Sequence, residues 1–191
     1  MNRHLKEFLR KATAIVAAVA IAAGPARGDV LLSWDFNGNS GSETTVTAGT
    51  IASNLGVGSG VISRGAGLTA GGNANRYNAS GWAVTNIANA ISGNDYMEFS
   101  LNFNNTHSFS IDDIAFNWQR SNSGPRELAL RSSLDSYGSN IQSFTIVDND
   151  SVQSFTATLG GATYSGLEQN VTLRFYGWAE GTTGTGGFEG S

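Results

Sequence analysis

The sequence contains no cysteine among its 191 residues. Disulfide bonds, thiol catalysis and thiolate metal sites are therefore excluded. Histidine is almost as scarce, since His107 is the only one after residue 28. Neither a Gly-x-Ser-x-Gly nor a His-Glu-x-x-His motif occurs, so no motif supplies partners for a histidine-based triad. We predict that His107 is a surface or turn residue and that the protein is not an enzyme.

Lysine is confined to the first 28 residues, where it belongs to a basic segment. Arg3, Lys6, Arg10 and Lys11 precede a run of small and aliphatic residues at positions 12–23. This run is shorter than the roughly 20 apolar residues that a membrane-spanning helix needs. It shows no polar face, which argues against an amphipathic helix of the folded domain. Residues 1–28 are therefore predicted to be a signal peptide, cleaved after Gly28 or, alternatively, after Ala26.

Positive charge is also sparse in the remaining chain. Removing residues 1–28 takes five of the 11 basic residues but one of the 15 acidic residues, which leaves a formal charge of −8. The six remaining basic residues are arginines scattered along the sequence. This distribution is a poor footprint for nucleic acid or anionic lipid. We predict neither partner, and no membrane insertion of the mature chain.

Alternation of apolar and polar residues is the strongest pattern in the sequence. Met97, Phe99, Leu101 and Phe103 alternate with polar residues, and further alternating segments follow up to residue 175. A period of two is typical of strands with one buried face. A chain of this length can bury about 70% of its unfolded surface in one core. Residues 29–191 are therefore predicted to form a single all-β domain, a two-sheet antiparallel sandwich of jelly-roll type.

The first part of this domain gives a weaker pattern. Residues 30–36 are predicted to form an opening strand, and the adjacent Val30, Leu31 and Leu32 suggest burial on both faces. Residues 37–94 are rich in Gly, Asn, Ser and Thr, which fits short edge strands or a long loop. No segment after residue 28 shows a convincing helical period.

The buried positions change parity at Asp112 and Asp113. Phe109 and Ile111 are odd-numbered, whereas Ile114, Phe116 and Trp118 are even-numbered. An extra residue must be absorbed between them if both sets are to face the core, so we predict a bulge or a break between two strands here. The two carboxylates are predicted to be structural or solvated, because neighbouring strand residues point to opposite faces.

Asp35, Asn37 and Asn39, followed by Glu43, are the candidate metal ligands. Their alternating oxygen donors resemble the start of a calcium loop. The spacing lacks the glycine and the glutamate of a helix-loop-helix site, which favours an ordinary polar turn. No other cofactor is predicted, and a structural Ca²⁺ is left as the alternative.

Tyr77 and Trp82 are the candidate ligand-binding residues. Aromatic rings can stack on sugar rings, and these two lie in the polar, glycine-rich region where exposure is most expected. Packing in the core is the competing interpretation, and it is the one predicted for Trp118 from its parity with Phe116.

Several motifs together resemble a bacterial family. The segment Tyr96-Met97-Glu98-Phe99, the Arg120-Ser121 turn with Gly124-Pro125, and the run Leu130-Arg131-Ser132-Ser133-Leu134-Asp135 are similar to exported β-sandwich domains of the PEP-CTERM type. The resemblance implies a surface or matrix-associated protein. The family's C-terminal sorting signal is absent from this sequence, so we expect either that the sequence stops before the last strand and anchor or that this member is released.

From these observations we expect a secreted or envelope-associated module without catalytic activity, which associates with matrix polysaccharide. A carbohydrate-active enzyme, either a glycoside hydrolase or a lyase, is the alternative. Such an enzyme would need two carboxylates about 5 to 10 Å apart in a cleft.

Overall fold

The computed structural model describes residues 29–179, 181 and 183–190, and the strands and the helix lie within them. The predicted signal peptide lies outside the described residues. The elements, in chain order, are β1 (Leu32–Ser33), β2 (Thr45–Thr47), β3 (Thr50–Ile51), β4 (Val61–Arg64), β5 (Thr69–Ala70), β6 (Arg76–Ser80), β7 (Ala83–Val84), α1 (Ile87–Gly93), β8 (Tyr96–Leu101), β9 (Asp113–Arg120), β10 (Pro125–Ser132), β11 (Gln142–Thr145), β12 (Gln153–Thr158), β13 (Val171–Ala179) and β14 (Gly186–Glu189).

Two sheets make up the domain. The large sheet has seven strands, six of them in the order β11-β10-β13-β8-β4-β2, while β7 pairs in parallel with the end of β13. The small sheet has five strands in the order β12-β9-β14-β6-β5. All other pairings in these sheets are antiparallel, and a separate ribbon joins β1 to β3. The predicted all-β, two-sheet antiparallel sandwich is confirmed.

Aromatic side chains fill the space between the two sheets. Phe116 and Phe188 of the small sheet meet Phe175 of the large sheet, with ring centroids 5.0 Å and 5.1 Å apart. Phe116 and Phe188 are themselves 5.8 Å apart. All three contacts are edge-to-face, the arrangement in which the positive edge of one ring meets the negative face of another. We call these three residues the ring cluster.

The predicted parity change at Asp112 and Asp113 is confirmed as a break between two segments. Phe109 is buried before the break and forms an isolated bridge with Leu167. β9 begins after it at Asp113. The carbonyl of Asp112 accepts hydrogen bonds from the amides of both Leu159 (2.7 Å) and Gly160 (3.2 Å). Two consecutive amides sharing one carbonyl place a bulge on the partner segment, at Leu159 and Gly160. The parity of the buried positions changes where the chain changes partner, from the bridge with Leu167 to the pairing with β12.

The helix α1 was not predicted. The side chain of Asn86 accepts a hydrogen bond from the amide of Asn89 at its start, and Asn94 ends it in the left-handed conformation at φ 59°. Asn favours both positions, so these two residues were the available sequence signal. No helix among the described residues is long and apolar enough to cross a membrane.

The early part of the domain contains short strands rather than a long loop. β2 to β7 all fall within residues 37–94, as one of the two predictions had it. The opening strand is shorter than predicted, because only Leu32 and Ser33 form β1. Val30 is 60% exposed, so the prediction of burial on both faces is wrong there. Near the other end, β14 was not predicted, and its two glycines carry no alternation signal.

One buried cation holds two loops together. The side chain of Arg120 is fully buried, and its guanidinium donates to the backbone carbonyls of Ser121, Asn122 and Ile146. Asp148 lies 3.8 Å away and balances the charge. Because a buried charge without partners is costly, these carbonyls fix the turn after β9 against the loop after β11.

Gly177 gives space to the indole of Trp82. A Cβ at Gly177 would lie 2.6 Å from Cε3 of Trp82, whose ring is fully buried. We predict that Gly177→Ala lowers the free energy of unfolding by about 1–3 kcal/mol, as overpacking generally does. Urea unfolding at neutral pH measures it. Gly160→Ala is the matched control, because a Cβ there meets open space. Equal stabilities of the two variants would contradict this account.

Candidate functional site

Tyr77, predicted to be exposed, lies in the core with 0% of its surface accessible. Its hydroxyl donates to the carbonyl of Thr44 at 2.8 Å. The guanidinium of Arg64 lies 3.7 Å from the centre of its ring. Burial raises the pKa of Tyr77 to about 12. The prediction of exposure is therefore wrong, because β6 runs between β14 and β5 and its residues 77–79 are covered on both faces.

Trp82 is likewise buried, with 0% exposure. Its indole Nε1 donates to the carbonyl of Ala79 at 3.0 Å, and its ring meets that of Trp118 at 5.8 Å. A polar, glycine-rich neighbourhood indicated exposure, yet Gly177 on β13 opens a space in which the indole packs. Neither Tyr77 nor Trp82 offers a free ring face to a sugar. Trp118 is buried, as predicted.

Asp35, Asn37 and Asn39 form a tight polar turn. The carboxylate of Asp35 accepts a hydrogen bond from the amide of Asn37 at 2.9 Å, and the amide of Asn39 donates to the carbonyl of Phe36. Glu43 turns to its own loop, where its carboxylate accepts from Ser40 and from the amide of Gly41. These bonds lower the pKa of Glu43 although burial opposes them. The described residues contain no group of three or more His, Cys, Asp or Glu placed to hold a metal.

The calcium hypothesis makes a direct prediction. If Asp35, Asn37 and Asn39 hold Ca²⁺, added EDTA lowers the Tm, because an ion that binds only the folded state stabilises it. Thermal unfolding with EDTA and with excess CaCl₂ measures this, and Asp35→Asn should remove the difference. A Tm that is identical in both solutions leaves the polar turn as the sufficient description.

A polar stripe crosses the outer face of the large sheet, the face turned away from the core. Glu98, Arg174 and Arg131 are register partners on β8, β13 and β10. Adjacent partners on neighbouring strands point to the same face. Ser100 and Thr172 form the next pair along β8 and β13 and share a hydrogen bond of 2.8 Å between their hydroxyls.

Arg174 is held between two tyrosine rings at the centre of this stripe. Its guanidinium carbon lies 4.1 Å from the ring centre of Tyr96 and 4.0 Å from that of Tyr137. Nε donates to Oε2 of Glu98 at 2.8 Å, and Nη1 donates to the hydroxyl of Tyr176 at 3.2 Å. These hydrogen bonds raise the pKa of Arg174 although burial opposes them. We call Glu98, Tyr137 and Arg174, together with Tyr96 and Tyr176, the arginine stack.

The loop that presents Tyr137 is unusual in its backbone. Ser136 and Tyr137 have φ angles of 57° and 60°, a region that residues other than glycine rarely adopt. Arg131 fixes this loop by donating to the carbonyl of Tyr137 at 2.6 Å. The carboxylate of Asp135 accepts from the amide of Ser139 at 2.9 Å. Two consecutive strained residues persist only where other contacts impose them, and such strain clusters at functional sites.

Tyr137 is the accessible ring of the arginine stack. It is half-buried, whereas Tyr96 is 9% and Tyr176 is 2% exposed. Glu98 and Arg174 expose 27% and 22% of their side chains. The stack therefore offers an aromatic ring, a carboxylate and a guanidinium at one place on the surface. The alternation of β8 and β13 already assigns Tyr96, Glu98, Arg174 and Tyr176 to one face, but the loop that brings Tyr137 to them left no periodic signal.

The remaining polar candidates lie apart from the stack. His107 is exposed in a turn, as predicted, and its Nδ1 is 2.8 Å from the hydroxyl of Thr106. Asp112 and Asp113 are exposed at the start of β9, at the rim of a cleft between the two sheets. Nothing in the described contacts joins these three residues to Arg174.

Comparisons of the chain with protein-family models, with curated proteins and with solved structures find no match.

Buried tyrosines predict a loss of stability at high pH. Burial raises the pKa of Tyr77 to about 12 and also raises the pKa of Tyr96 and of Tyr137. An unfolded tyrosine loses its proton near pH 10, whereas the folded chain keeps it. The stabilisation of the folded state by these protonated tyrosines is therefore complete below pH 10 and is lost between about pH 10 and 12. Urea unfolding from pH 8 to 12 measures this slope.

The Tyr77→Phe variant tests whether Tyr77 causes the fall in the free energy of unfolding above pH 10. The variant loses the hydrogen bond to Thr44, so we expect a cost of about 1 kcal/mol at pH 8. Its free energy of unfolding should fall less steeply above pH 10, because one shifted group is gone. Parallel curves for the two proteins would refute the assignment to Tyr77.

Proposed function

We propose that this protein is a non-catalytic module that binds polysaccharide on the outer face of its large sheet. The observation that carries the proposal is the arginine stack, in which Tyr137 is held over Arg174 by a strained loop. A pre-shaped aromatic and polar surface lowers the entropic cost of binding, because its side chains are already ordered.

The chemistry of the stack fits a sugar. An aromatic ring offers an apolar face to the C–H groups of a pyranose, and Tyr137 is the accessible ring. A carboxylate accepts hydrogen bonds from hydroxyl groups and a guanidinium donates to them, as Glu98 and Arg174 would do. Ser100 and Thr172 extend the polar surface along the same two strands.

Charge favours a neutral polysaccharide over an anionic one. Residues 29–191 carry a formal charge of −8. Arg174 is already paired with Glu98, and Arg131 already donates to Asn140 and to its own loop. Since the positive groups are engaged, a polyanion would meet a net repulsive field.

Export supports an extracellular partner. We infer that residues 1–28 direct secretion and that the domain acts outside the cell or in the envelope, in line with the resemblance to PEP-CTERM-type proteins. A carbohydrate-active enzyme on the same scaffold is the alternative proposal. Asp112 and Asp113 at the rim of the intersheet cleft are the carboxylates that such an enzyme would use.

Affinity electrophoresis against neutral and anionic polysaccharides tests the proposal. Xylan, mannan and mixed-linkage glucan are the neutral set, while alginate and polygalacturonate are the anionic set. We expect retention by at least one neutral polymer, and Tyr137→Ala should weaken it about tenfold, which corresponds to about 1.4 kcal/mol. Tyr137→Phe should bind nearly as well, because it keeps the ring.

Val57→Ala is the matched control, because Val57 is fully exposed on a loop outside the stripe and should leave retention unchanged. Thermal unfolding of each variant separates lost binding from lost folding. The proposal fails if no neutral polymer is retained, or if Tyr137→Ala folds and binds like the parent. Release of reducing sugar, abolished by Asp113→Asn, would favour the enzyme instead.

A further inference from the structure

A cleft of about 1000 Å³, lined by both polar and apolar residues, opens between the two sheets. One wall is the continuous stretch 108–117 and the other is the continuous stretch 29–34. Phe99 and Leu101 of β8 and Leu173 and Phe175 of β13 lie beneath it as a buried apolar floor. Because both walls consist of consecutive residues, their backbones border the cleft along its length, as they would border an added strand.

The first half of β9 has a free edge along this cleft. The amide of Ser121 donates to Thr185 on the β14 side, whereas the carbonyl of Asp112 accepts from Leu159 on the β12 side. Odd-numbered residues of β9 therefore direct their backbone groups towards β14 and even-numbered ones towards β12. The register of β14 with β9 ends at Phe188 and Trp118. Asp113 and Ala115 are register partners of residues on β12, but their own backbone amides and carbonyls point to the opposite side. In the described part of the chain no strand lies on that side.

Unpaired backbone groups beside an apolar floor identify the kind of occupant. An extended peptide satisfies amides and carbonyls in a way that an acyl chain or a small apolar molecule does not. Its alternate side chains would enter the cleft, so apolar residues are required at every second position. Asp29, Asp112 and Asp113 are exposed at the rim, and no ion pair of the described residues involves them. This negative rim complements a peptide with basic residues at its ends.

We propose that the cleft is a docking site for a partner's extended segment, which adds to β9 as a strand and carries alternate apolar residues between basic ends. The added strand lies in line with β14 and pairs with Asp113 and Ala115. Its inward side chains contact Ile114 and Phe116, which line the cleft and are only partly buried. The site is separate from the arginine stack, which lies on the other face of the large sheet, so each proposal can fail without the other.

A fluorescein-labelled peptide of eight residues, with lysine at both ends and valine and threonine alternating between them, is the probe. Two further peptides carry ester linkages in place of the amides of either the valines or the threonines, which removes the donors without adding bulk. Fluorescence anisotropy measures the affinities. We expect binding of the parent peptide and at least a tenfold loss for one ester set, since two hydrogen bonds of about 0.5–1.5 kcal/mol each disappear.

Two variants of the protein place the same charge on opposite faces of the small sheet. Ile114→Asp puts a carboxylate into the cleft, whereas Thr156→Asp puts it on the exposed outer face of the neighbouring strand β12, away from the residues that line the cleft. We expect the first to weaken peptide binding at least tenfold and the second to leave it within about twofold, since surface changes away from the contact have small effects. Hydrogen exchange should also show protection of the Ala115 amide when the parent peptide is present.

Several results would overturn the proposal. These are the absence of peptide binding, equal affinity of the amide peptide and both ester peptides, or equal effects of the two variants in folded protein. Displacement of the peptide by a fatty acid, with no protection at Ala115, would show a site for small apolar ligands instead. A concentration-dependent dimer that excludes the peptide would show that a second copy occupies the cleft. If Ile114→Asp does not fold, the ester peptides and the exchange experiment still decide the question.

Discussion

Contact between aromatic rings holds the two sheets together, and the rest of the structure depends on it. The chain has no disulfide, so the distance between the sheets is set by buried side chains alone. Phe116, Phe175 and Phe188 join β9, β13 and β14 across the interface. Apolar burial contributes roughly 25 cal/mol per Å², which makes such rings the largest single contributors to the core. Both candidate sites are built on the strands that these rings position.

Sequence reasoning succeeded where a side chain's environment follows from its own strand. Alternation along β8 and β13 identified the buried Phe99, Leu101 and Leu173 because the pleat alone decides which face they take. The parity change at Asp112 was predicted for the same reason, since two sets of apolar residues had to reach one core. In each case, information within ten residues was sufficient.

The failures concern contacts made across the fold. Tyr77 and Trp82 stand among glycines and polar residues, yet Arg64 packs on the ring of Tyr77 and Trp82 packs against Gly177 of β13, and nothing local signals these contacts. The arginine stack joins residues 96, 137 and 174, so its assembly depends on strand order and on the path of one loop. The edge of β9 is free because β14 stops pairing with it at Trp118. The sequence of β14, which includes two glycines, gave no signal of where this pairing ends. Long-range order is the part of a fold that single-sequence patterns leave open.

The engagement of the arginines changes how the surface behaves as a whole. Arg64 donates to three carbonyls, Arg120 is buried among others, and Arg76 and Arg174 are paired with Glu189 and Glu98. The carboxylates of Asp112, Asp113 and Glu168, by contrast, are exposed to solvent. Copies of the domain therefore repel one another through a field that reaches about 10 Å at 0.1 M salt. The colloidal stability of the protein should therefore depend on ionic strength.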